Sequence, residues 1–320
     1  MSLPTLLEGK LRIPVIGAPM FIVSGPKLVI AQCKAGIVGG FPALNARPQS
    51  MLDEWLAQIS EELAAHKKSN PGIPVAPFAV NQIVHQSNSR LEHDVEKCVK
   101  YKVPIVITSL RPPAEVVDAV HSYGGIVFHD VINIRHAHKA IDQGVDGIIT
   151  VCAGAGGHAG TTSPFALVKE VRKIFGGTII LSGSMSRGND ALAAQAMGAD
   201  LAYFGTRFIA TQEANAPSAY KEMIVDSAAA DIVYTNLFTG VHGSYLKGSV
   251  VNAGLDPDDL PEGELRHMNF ASGSSKTKAW RDIWGAGQGV GTIDDIPSVA
   301  DLVERMEAEY REATNRLCAS

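Results

Sequence analysis

Several features that would assign the chain to a specialised class of protein are missing from the sequence. Its 320 residues include four cysteines, none in a Cys-x-x-Cys pair, so neither a zinc site nor a disulfide framework is indicated. No apolar run reaches the roughly 18 residues that span a bilayer. The net charge of −5 provides no basic field that would favour nucleic acid or anionic lipid. We therefore expect a globular protein whose partner is neither a nucleic acid nor a membrane.

The motifs of two large enzyme classes are missing too. No GxSxG nucleophile elbow occurs, although the members of a catalytic triad need not be sequence neighbours. No GxGxxG fingerprint of a dinucleotide-binding fold follows a predicted strand. The first ten residues lack the basic flank and the long apolar core of a signal peptide, so we expect a cytoplasmic location.

The sequence does contain a regular alternation of short apolar runs and amphipathic segments. The apolar runs predict eight strands, at 14–20, 37–41, 75–81, 105–109, 125–131, 147–152, 178–183 and 201–208. Helical periodicity predicts helices at 25–35, 48–68, 89–101, 113–123, 134–143, 164–175 and 187–197, with one more needed after residue 208. Uniformly apolar runs are typical of parallel strands covered by helices. Eight such units predict a (β/α)8 TIM barrel in the α/β class, with an open doubly wound sheet as the alternative.

The regular alternation stops after the eighth predicted strand. Residues 212–281 contain a polar helical stretch at 219–226 and a loop-rich region at 240–263. We interpret residues 212–281 as a smaller, mostly helical insertion or lid domain over the mouth of the barrel, with a peripheral decoration as the alternative. The barrel domain would then comprise residues 1–211 and 282–320, closed by a helix at 297–315.

A glycine-rich loop that carries one histidine lies between the sixth predicted strand and the next helix. The loop reads Ala-Gly-Ala-Gly-Gly-His-Ala-Gly over residues 153–160, and its histidine is His158. Glycine allows the backbone to approach a flat ligand closely, and histidine exchanges protons near neutral pH. A flexible turn with a solvated histidine is the alternative for this loop taken alone.

Active sites of TIM barrels lie where the carboxyl ends of the strands meet, so the residues at those ends are the candidates. Small residues follow the seventh and eighth strands, where such barrels bind phosphate: Ser182, Gly183, Ser184, Gly205 and Thr206. Asn81 ends the third predicted strand, and His129 and Asp130 lie near the end of the fifth. His129, Asp130 and His158 could ligate a metal, but a polar cavity wall is favoured, and we predict no metal. We expect His136 and His138 to lie on the surface.

Four segments together resemble the nitronate monooxygenase family, formerly called 2-nitropropane dioxygenases. The four segments are 14–20 (PVIGAPM), 155–160 (AGGHAG), 204–208 (FGTRF) and 284–289 (WGAGQG). The motifs are shared with FMN-dependent enoyl-acyl-carrier-protein reductases and NADH:quinone reductases. The resemblance implies an FMN-containing (β/α)8 barrel with a helical second domain.

The resemblance also implies roles for individual residues. Pro19, Met20 and Phe21 would line the flavin ring, Asn81 would contact it, and Gly157 would pack near it. The phosphate would be held by Ser182, Gly183, Ser184, Gly205 and Thr206. His158 would be the base in front of the flavin. The chain departs from relatives in having Ala18-Pro19-Met20 for Gly-Gly-Met and Ser184 for a second glycine. His129 and Asp130, which we place near the substrate, lie where some relatives carry a lysine.

These implications favour FMN-dependent oxidation of alkyl nitronates by O2 to a carbonyl compound and nitrite, with His158 as the base. The alternative is an NAD(P)H-dependent FMN reductase acting on a quinone or an enoyl thioester. A flavin-free lyase or isomerase acting on a sugar phosphate would fit the phosphate site equally well. The sequence indicates no oligomeric state, and a homodimer stays open.

Overall fold

Eleven strands are found in the part of the chain that the computed structural model describes, which comprises residues 3–111, 114–263 and 282–319. They are β1 (Val15–Gly17), β2 (Val38–Pro42), β3 (Phe78–Val84), β4 (Ile105–Leu110), β5 (Ile126–Val131), β6 (Gly147–Val151), β7 (Gly157–His158), β8 (Thr178–Ser182), β9 (Leu201–Phe204), β10 (Ile232–Thr235) and β11 (Gly243–Leu246). Strands β1 to β6, β8 and β9 pair in that order and close into a parallel barrel. The predicted TIM barrel is confirmed.

Among the described residues, seven α-helices connect consecutive barrel strands and cover their outer surface, and four more follow the last barrel strand. They are α1 (Pro26–Lys34), α2 (Met51–Ser69), α3 (Leu91–Lys100), α4 (Ala114–His121), α5 (Ile134–Ile141), α6 (Pro164–Ile174), α7 (Gly188–Ala196), α8 (Thr206–Ile209), α9 (Ser218–Val225), α10 (Lys247–Asn252) and α11 (Val299–Cys318). The last helix packs against α7 and α1 and so completes the outer ring. None of the helices in the described ranges is long and apolar enough to cross a membrane.

The core has two layers because successive strand residues point to opposite faces. Residues facing the barrel axis form one cluster, which includes Ile107 of β4, Phe128 of β5 and Ile180 of β8. Their neighbours along the strands face the helices and join a larger cluster with the apolar faces of α1, α2 and α11. Leu7 is buried in the axial cluster, where the N-terminal segment packs. The barrel interior is therefore a packed core and not an open channel.

Two predicted strand boundaries are wrong in ways that affect the site. The third strand starts at Phe78 and runs to Val84, so Asn81 lies in its middle and not at its end. The eighth barrel strand ends at Phe204, and the chain turns directly into the short helix α8 at Thr206. Gly205 and Thr206 therefore form the turn that follows the strand.

The described part of the predicted insertion contains a small antiparallel sheet that the sequence analysis missed. Strands β10 and β11 lie within a segment predicted to be helical and loop-rich, beside helices α9 and α10. They form a three-stranded sheet with β7, which comes from the glycine-rich loop. The insertion is thus attached to the loop that carries His158. The domain limits at 212 and 281 stay predictions, and residues 264–281 lie outside the described ranges.

We predict that Gly188→Ala lowers the free energy of unfolding by about 1–3 kcal/mol, because a Cβ at this position would overlap the Met306 carbonyl of α11. Urea denaturation of the two proteins measures the difference. Gly176→Ala is the matched control, since its Cβ meets no atom within 4 Å, and it should change stability by less than about 0.5 kcal/mol. Equal effects of the two substitutions would contradict the close approach of α7 and α11.

Candidate active site

A cavity of about 1140 Å³ opens at the carboxyl ends of the barrel strands. Pockets for a single small ligand usually measure roughly 300–1,000 Å³, so this cavity has room for a cofactor together with a substrate. The sequence analysis assigned thirteen residues to the cofactor, to catalysis or to the neighbourhood of the substrate, and all of them except His129 line this cavity. The twelve are Pro19, Met20, Phe21, Asn81, Asp130, Gly157, His158, Ser182, Gly183, Ser184, Gly205 and Thr206. The structure thus brings these residues together, while their roles stay predictions.

A layer of polar side chains covers the apolar core of the barrel at the bottom of this cavity. Each of its members lies two residues beyond an axial apolar residue of the same strand, and therefore points to the same interior face. The layer consists of Asn81 of β3, Ser109 of β4, Asp130 of β5, Ser182 of β8 and Tyr203 of β9.

Three members of this polar layer are joined by hydrogen bonds. The Asn81 amide Nδ2 donates to Ser109 Oγ at 2.9 Å and to the Ile107 carbonyl at 3.2 Å. Ser109 Oγ in turn donates to Asp130 Oδ2 at 2.6 Å. Asp130 Oδ1 is buried and has no hydrogen-bond partner among the described residues. Burial raises the pKa of Asp130 to about 6, against the opposing effect of the Ser109 hydrogen bond.

His129 does not line the cavity, so its expected place near the substrate is wrong. The alternation along β5 turns it to the helix-facing side, opposite to Asp130. There its Nδ1 lies 2.8 Å from Thr108 Oγ1, and burial together with the charge of His136 lowers its pKa to about 4. His129 is therefore neutral at neutral pH, and its observed contacts are structural.

His136, which we expected on the surface, lines the cavity instead. It lies in the first turn of α5, where its backbone N–H is capped by Asn133 Oδ1 at 2.9 Å. Partial burial and the positive charges of Arg135 and Lys139 lower the pKa of His136. The signal that could have found it is the Asn133 cap, because the first turn of a barrel helix lies beside the mouth.

His158 is held by the small sheet that β7 forms with the insertion. In the pairing of β7 with β11, His158 lies opposite Gly243 and Gly157 opposite Ser244. The ring Nε2 is 2.9 Å from Oγ1 of the buried Thr239, and that hydroxyl also donates to the Val241 carbonyl at 2.9 Å. Thr239 therefore restrains the orientation of the imidazole ring. Sequence reasoning missed this partner, which is 81 residues away along the chain.

The loops after β6 and β8 meet the segment 285–289 through backbone atoms. The Gly154 carbonyl accepts hydrogen bonds from the N–H groups of Gln288, at 2.9 Å, and Ser184, at 3.3 Å. A Cβ on Gly154 would overlap Ser184 Oγ, and one on Gly287 would lie 2.6 Å from the Gly154 carbonyl. Glycine is required here because the three segments approach more closely than side chains would allow.

The two loops predicted to bind phosphate carry donors and no acidic side chain. Ser182, Ser184 and Thr206 offer hydroxyl groups, with glycine backbone beside them. The N–H of Gly287 donates to Thr206 Oγ1 at 2.9 Å and ties the returning segment to the turn after β9. Such a donor set fits a phosphate group, and the residues present are therefore compatible with a phosphate-bearing cofactor such as FMN.

The turn after β1 is held in place by Asn45, a residue that sequence reasoning missed. Its Nδ2 donates to the Met20 carbonyl at 2.9 Å and the Ser24 carbonyl at 2.8 Å, while its Oδ1 accepts from the Ile22 N–H at 3.0 Å. Ile22 has a φ of +67°, which is a strained conformation for a β-branched residue. The three bonds to Asn45 hold this conformation at the wall of the cavity.

Comparisons with known proteins agree with the fold and with the motifs. The model of the family described as nitronate monooxygenase matches residues 61–309. A nitronate monooxygenase of Neurospora crassa is 26% identical, over 95% of this chain and 91% of that protein. A protein of Rhodococcus jostii, named a 5-hydroxy-7a-methyl-1-oxo-octahydro-1H-indene-4-carboxyl-CoA dehydrogenase, is 23% identical over 92% of each chain.

Among solved structures, a nitroalkane oxidase of Streptomyces ansochromogenes has a similar fold. Its TM-score is 0.77 at 22% identity, and the match covers 98% of this chain and all of that one. At this identity the similarity supports the barrel architecture and carries no conclusion about the substrate.

We predict that Asn45→Ala loosens the turn after β1 by about 1–3 kcal/mol, because the strained Ile22 loses the acceptor of its N–H. Hydrogen exchange at the Ile22 amide, followed by mass spectrometry of the turn peptide, measures the local opening. Ser60→Ala is the control, since the Ser60 hydroxyl, within the described ranges, bonds the Leu56 carbonyl of its own helix and nothing in the turn. Unchanged exchange at the turn in the Asn45 variant would show that the turn does not depend on this amide.

Proposed function

The chain belongs to the nitronate monooxygenase family, a family of flavin-dependent oxidoreductases, and from this we propose that it oxidises alkyl nitronates with O2 to a carbonyl compound and nitrite. The observation that carries the proposal is the position of His158. It shares one cavity with the two phosphate-type loops and with the turn after β1. A base, a site for a phosphate-bearing cofactor and room for a small substrate therefore lie together.

We propose FMN as the cofactor of this site. Ser182, Gly183, Ser184, Gly205 and Thr206 would hold its phosphate, and Pro19, Met20, Phe21, Asn81 and Gly157 would surround its ring system. Bound FMN would supply the acceptor for the substrate's electrons and their path to O2. The absence of acidic side chains from the phosphate loops supports this assignment, because a carboxylate there would repel the phosphate.

His158 would act as the base when the substrate is a neutral nitroalkane. Proton abstraction from the α-carbon needs an acceptor within hydrogen-bond reach whose pKa lies near the working pH, and imidazole meets the second condition. The Thr239 hydroxyl at 2.9 Å from Nε2 supports the role, because it limits rotation of the ring. A preformed nitronate has already lost that proton and does not need the base.

A second candidate function is oxidoreduction of an acyl or enoyl thioester, or of a quinone, with NAD(P)H as the second substrate. It is favoured by the Rhodococcus relative, whose name describes a dehydrogenase acting on a coenzyme A thioester. The lack of a GxGxxG motif counts little against it, since a nicotinamide can dock directly on a flavin. Family membership removes the grounds for a flavin-free lyase. A homodimer stays open, and neither function depends on it.

We predict that His158→Asn lowers kcat/KM for nitroethane by roughly 10²–10⁴-fold, the usual contribution of a general base, and lowers kcat/KM for ethyl nitronate far less. Oxygen consumption with each substrate measures both values. His242→Asn is the matched control, because His242 stacks on Tyr234 and does not line the cavity. Equal losses on the two substrates would argue against His158 as the base.

We predict that the purified protein has the visible absorption of FMN and that adding ethyl nitronate in air consumes O2 and releases nitrite. Without air, NADH should leave the flavin absorption unchanged over the time of a turnover. Rapid bleaching by NADH would instead support the thioester or quinone function. A colourless protein that takes up no FMN would contradict both nitronate oxidation and the thioester or quinone function.

A further inference from the structure

The carboxyl group of Asp130 is the one acidic side chain in the polar layer beneath the cavity, as far as the described residues show. Its two oxygens differ: Oδ2 accepts a 2.6 Å hydrogen bond from Ser109, while Oδ1 is buried without a partner. The hydrogen bond from Asn81 to Ser109 holds that hydroxyl in place, so the carboxyl group cannot easily turn away. Asp130 therefore keeps one carboxyl oxygen without a partner among the described residues, in a side chain that lines the cavity.

The groups around Asp130 provide no positive charge to balance it at neutral pH. Ser109 and Asn81 face it from β4 and β3, and both are uncharged. Tyr203 faces it from β9, and burial with the charge of Asp130 raises the pKa of that phenol well above its usual value. Among the described residues, burial and the Ser109 hydrogen bond are what shift the pKa of Asp130, and no cation contributes.

Two of the histidines nearby, His129 and His136, do not supply that charge either. His129 lies on the opposite face of β5, and burial lowers its pKa to about 4. His136 reaches the cavity from α5, and its pKa is also lowered, first by burial and then by Arg135 and Lys139. Both are therefore neutral at pH 7. His158 reaches the cavity from β7, where its Nε2 contacts Thr239.

We propose that Asp130 is a specificity-determining residue that couples binding of an anionic ligand to uptake of one proton by its own carboxyl group. For the identity of the anion, a nitronate, this rests on the proposed function. The neutral carboxyl group can donate its O–H from Oδ1 to an oxygen of the ligand. The ionised group can only accept, and in a cavity of low dielectric it repels a second negative charge.

As a consequence, the affinity of the site for an anion relative to a neutral ligand changes with pH. Burial raises the pKa of Asp130 to about 6, so the carboxyl group is protonated below that pH and ionised above it. Apparent affinity for an anion therefore falls about tenfold for each pH unit above 6, because only the protonated fraction binds it. A neutral nitroalkane meets no such repulsion. At neutral pH the ionised carboxyl group would thus weaken binding of the nitronate and leave binding of the nitroalkane unchanged.

Kinetics of the holoenzyme test this coupling with Asp130→Asn, which keeps an acceptor for Ser109 and cannot ionise. In the unchanged protein, kcat/KM for ethyl nitronate should fall between pH 6 and 8, and in the variant this fall should be absent. At pH 7 the ratio of kcat/KM for ethyl nitronate to that for nitroethane should rise about tenfold in the variant. Asp118→Asn, on the exposed surface of α4, is the matched control and should keep the original profile. Identical profiles of Asp130→Asn and the unchanged protein would overturn the proposal.

A binding measurement makes the result independent of turnover. Calorimetric titration of the holoenzyme with nitrate at pH 7, in two buffers of different ionisation enthalpy, gives the protons taken up per anion. We expect nearly one proton in the unchanged protein and in Asp118→Asn, and none in Asp130→Asn. Nitrate binding without proton uptake, or no nitrate binding even at pH 5, overturns the coupling. If nitronates are not oxidised but nitrate binds with its proton, the proposed function fails and the inference about Asp130 stands.

Discussion

The site depends on one backbone acceptor, the carbonyl of Gly154. This carbonyl accepts hydrogen bonds from the N–H of Ser184, in the loop after β8, and from the N–H of Gln288, in the segment 285–289. Three stretches of chain that are distant in sequence are therefore joined where a phosphate group would bind. Because the surrounding glycines have no side chains, the backbones can approach to hydrogen-bonding distance. The cavity wall is thus assembled from backbone, and side chains are left to provide its chemistry.

The alternation of side chains between the two faces of each strand is the second constraint on the site. Apolar residues on the axial face fill the barrel, and the next residues on the same face form the polar layer of Asn81, Ser109 and Asp130. The same regularity turns His129 away from the cavity and makes it part of the helix-facing layer. A shift of one residue in β5 would exchange a buried carboxyl group for an imidazole in the cavity. Strand register therefore decides which titratable group meets a ligand.

The barrel and the order of its strands could be predicted from the sequence, because apolar runs at regular intervals indicate parallel barrel strands. Strand order alone was enough to place the loops after β8 and β9 at the cavity, and their binding of phosphate stays a prediction. The face of His129 could not be predicted, because a strand buried on both sides shows no alternation of polarity along 125–131. His136 was missed because a histidine at the start of a helix looks the same whether its first turn faces solvent or a cavity. Thr239 and β7 were missed for another reason: they depend on pairing between segments about 80 residues apart, which leaves no local pattern.

The two-residue strand β7 determines how much of the chain would have to be moved to build this site on another barrel. His158 belongs to the barrel by connectivity, but its pairing partner Gly243 and its ring partner Thr239 belong to the inserted segment. Grafting the glycine-histidine loop onto another barrel would copy the residue and lose its orientation. The smallest set of segments that would keep the orientation of His158 is the loop together with β10, β11 and the residues between them. Exchanging only the inserted segment between relatives would likewise change the orientation of the His158 ring. Sequence changes in that segment could therefore alter the reaction while the barrel stays the same.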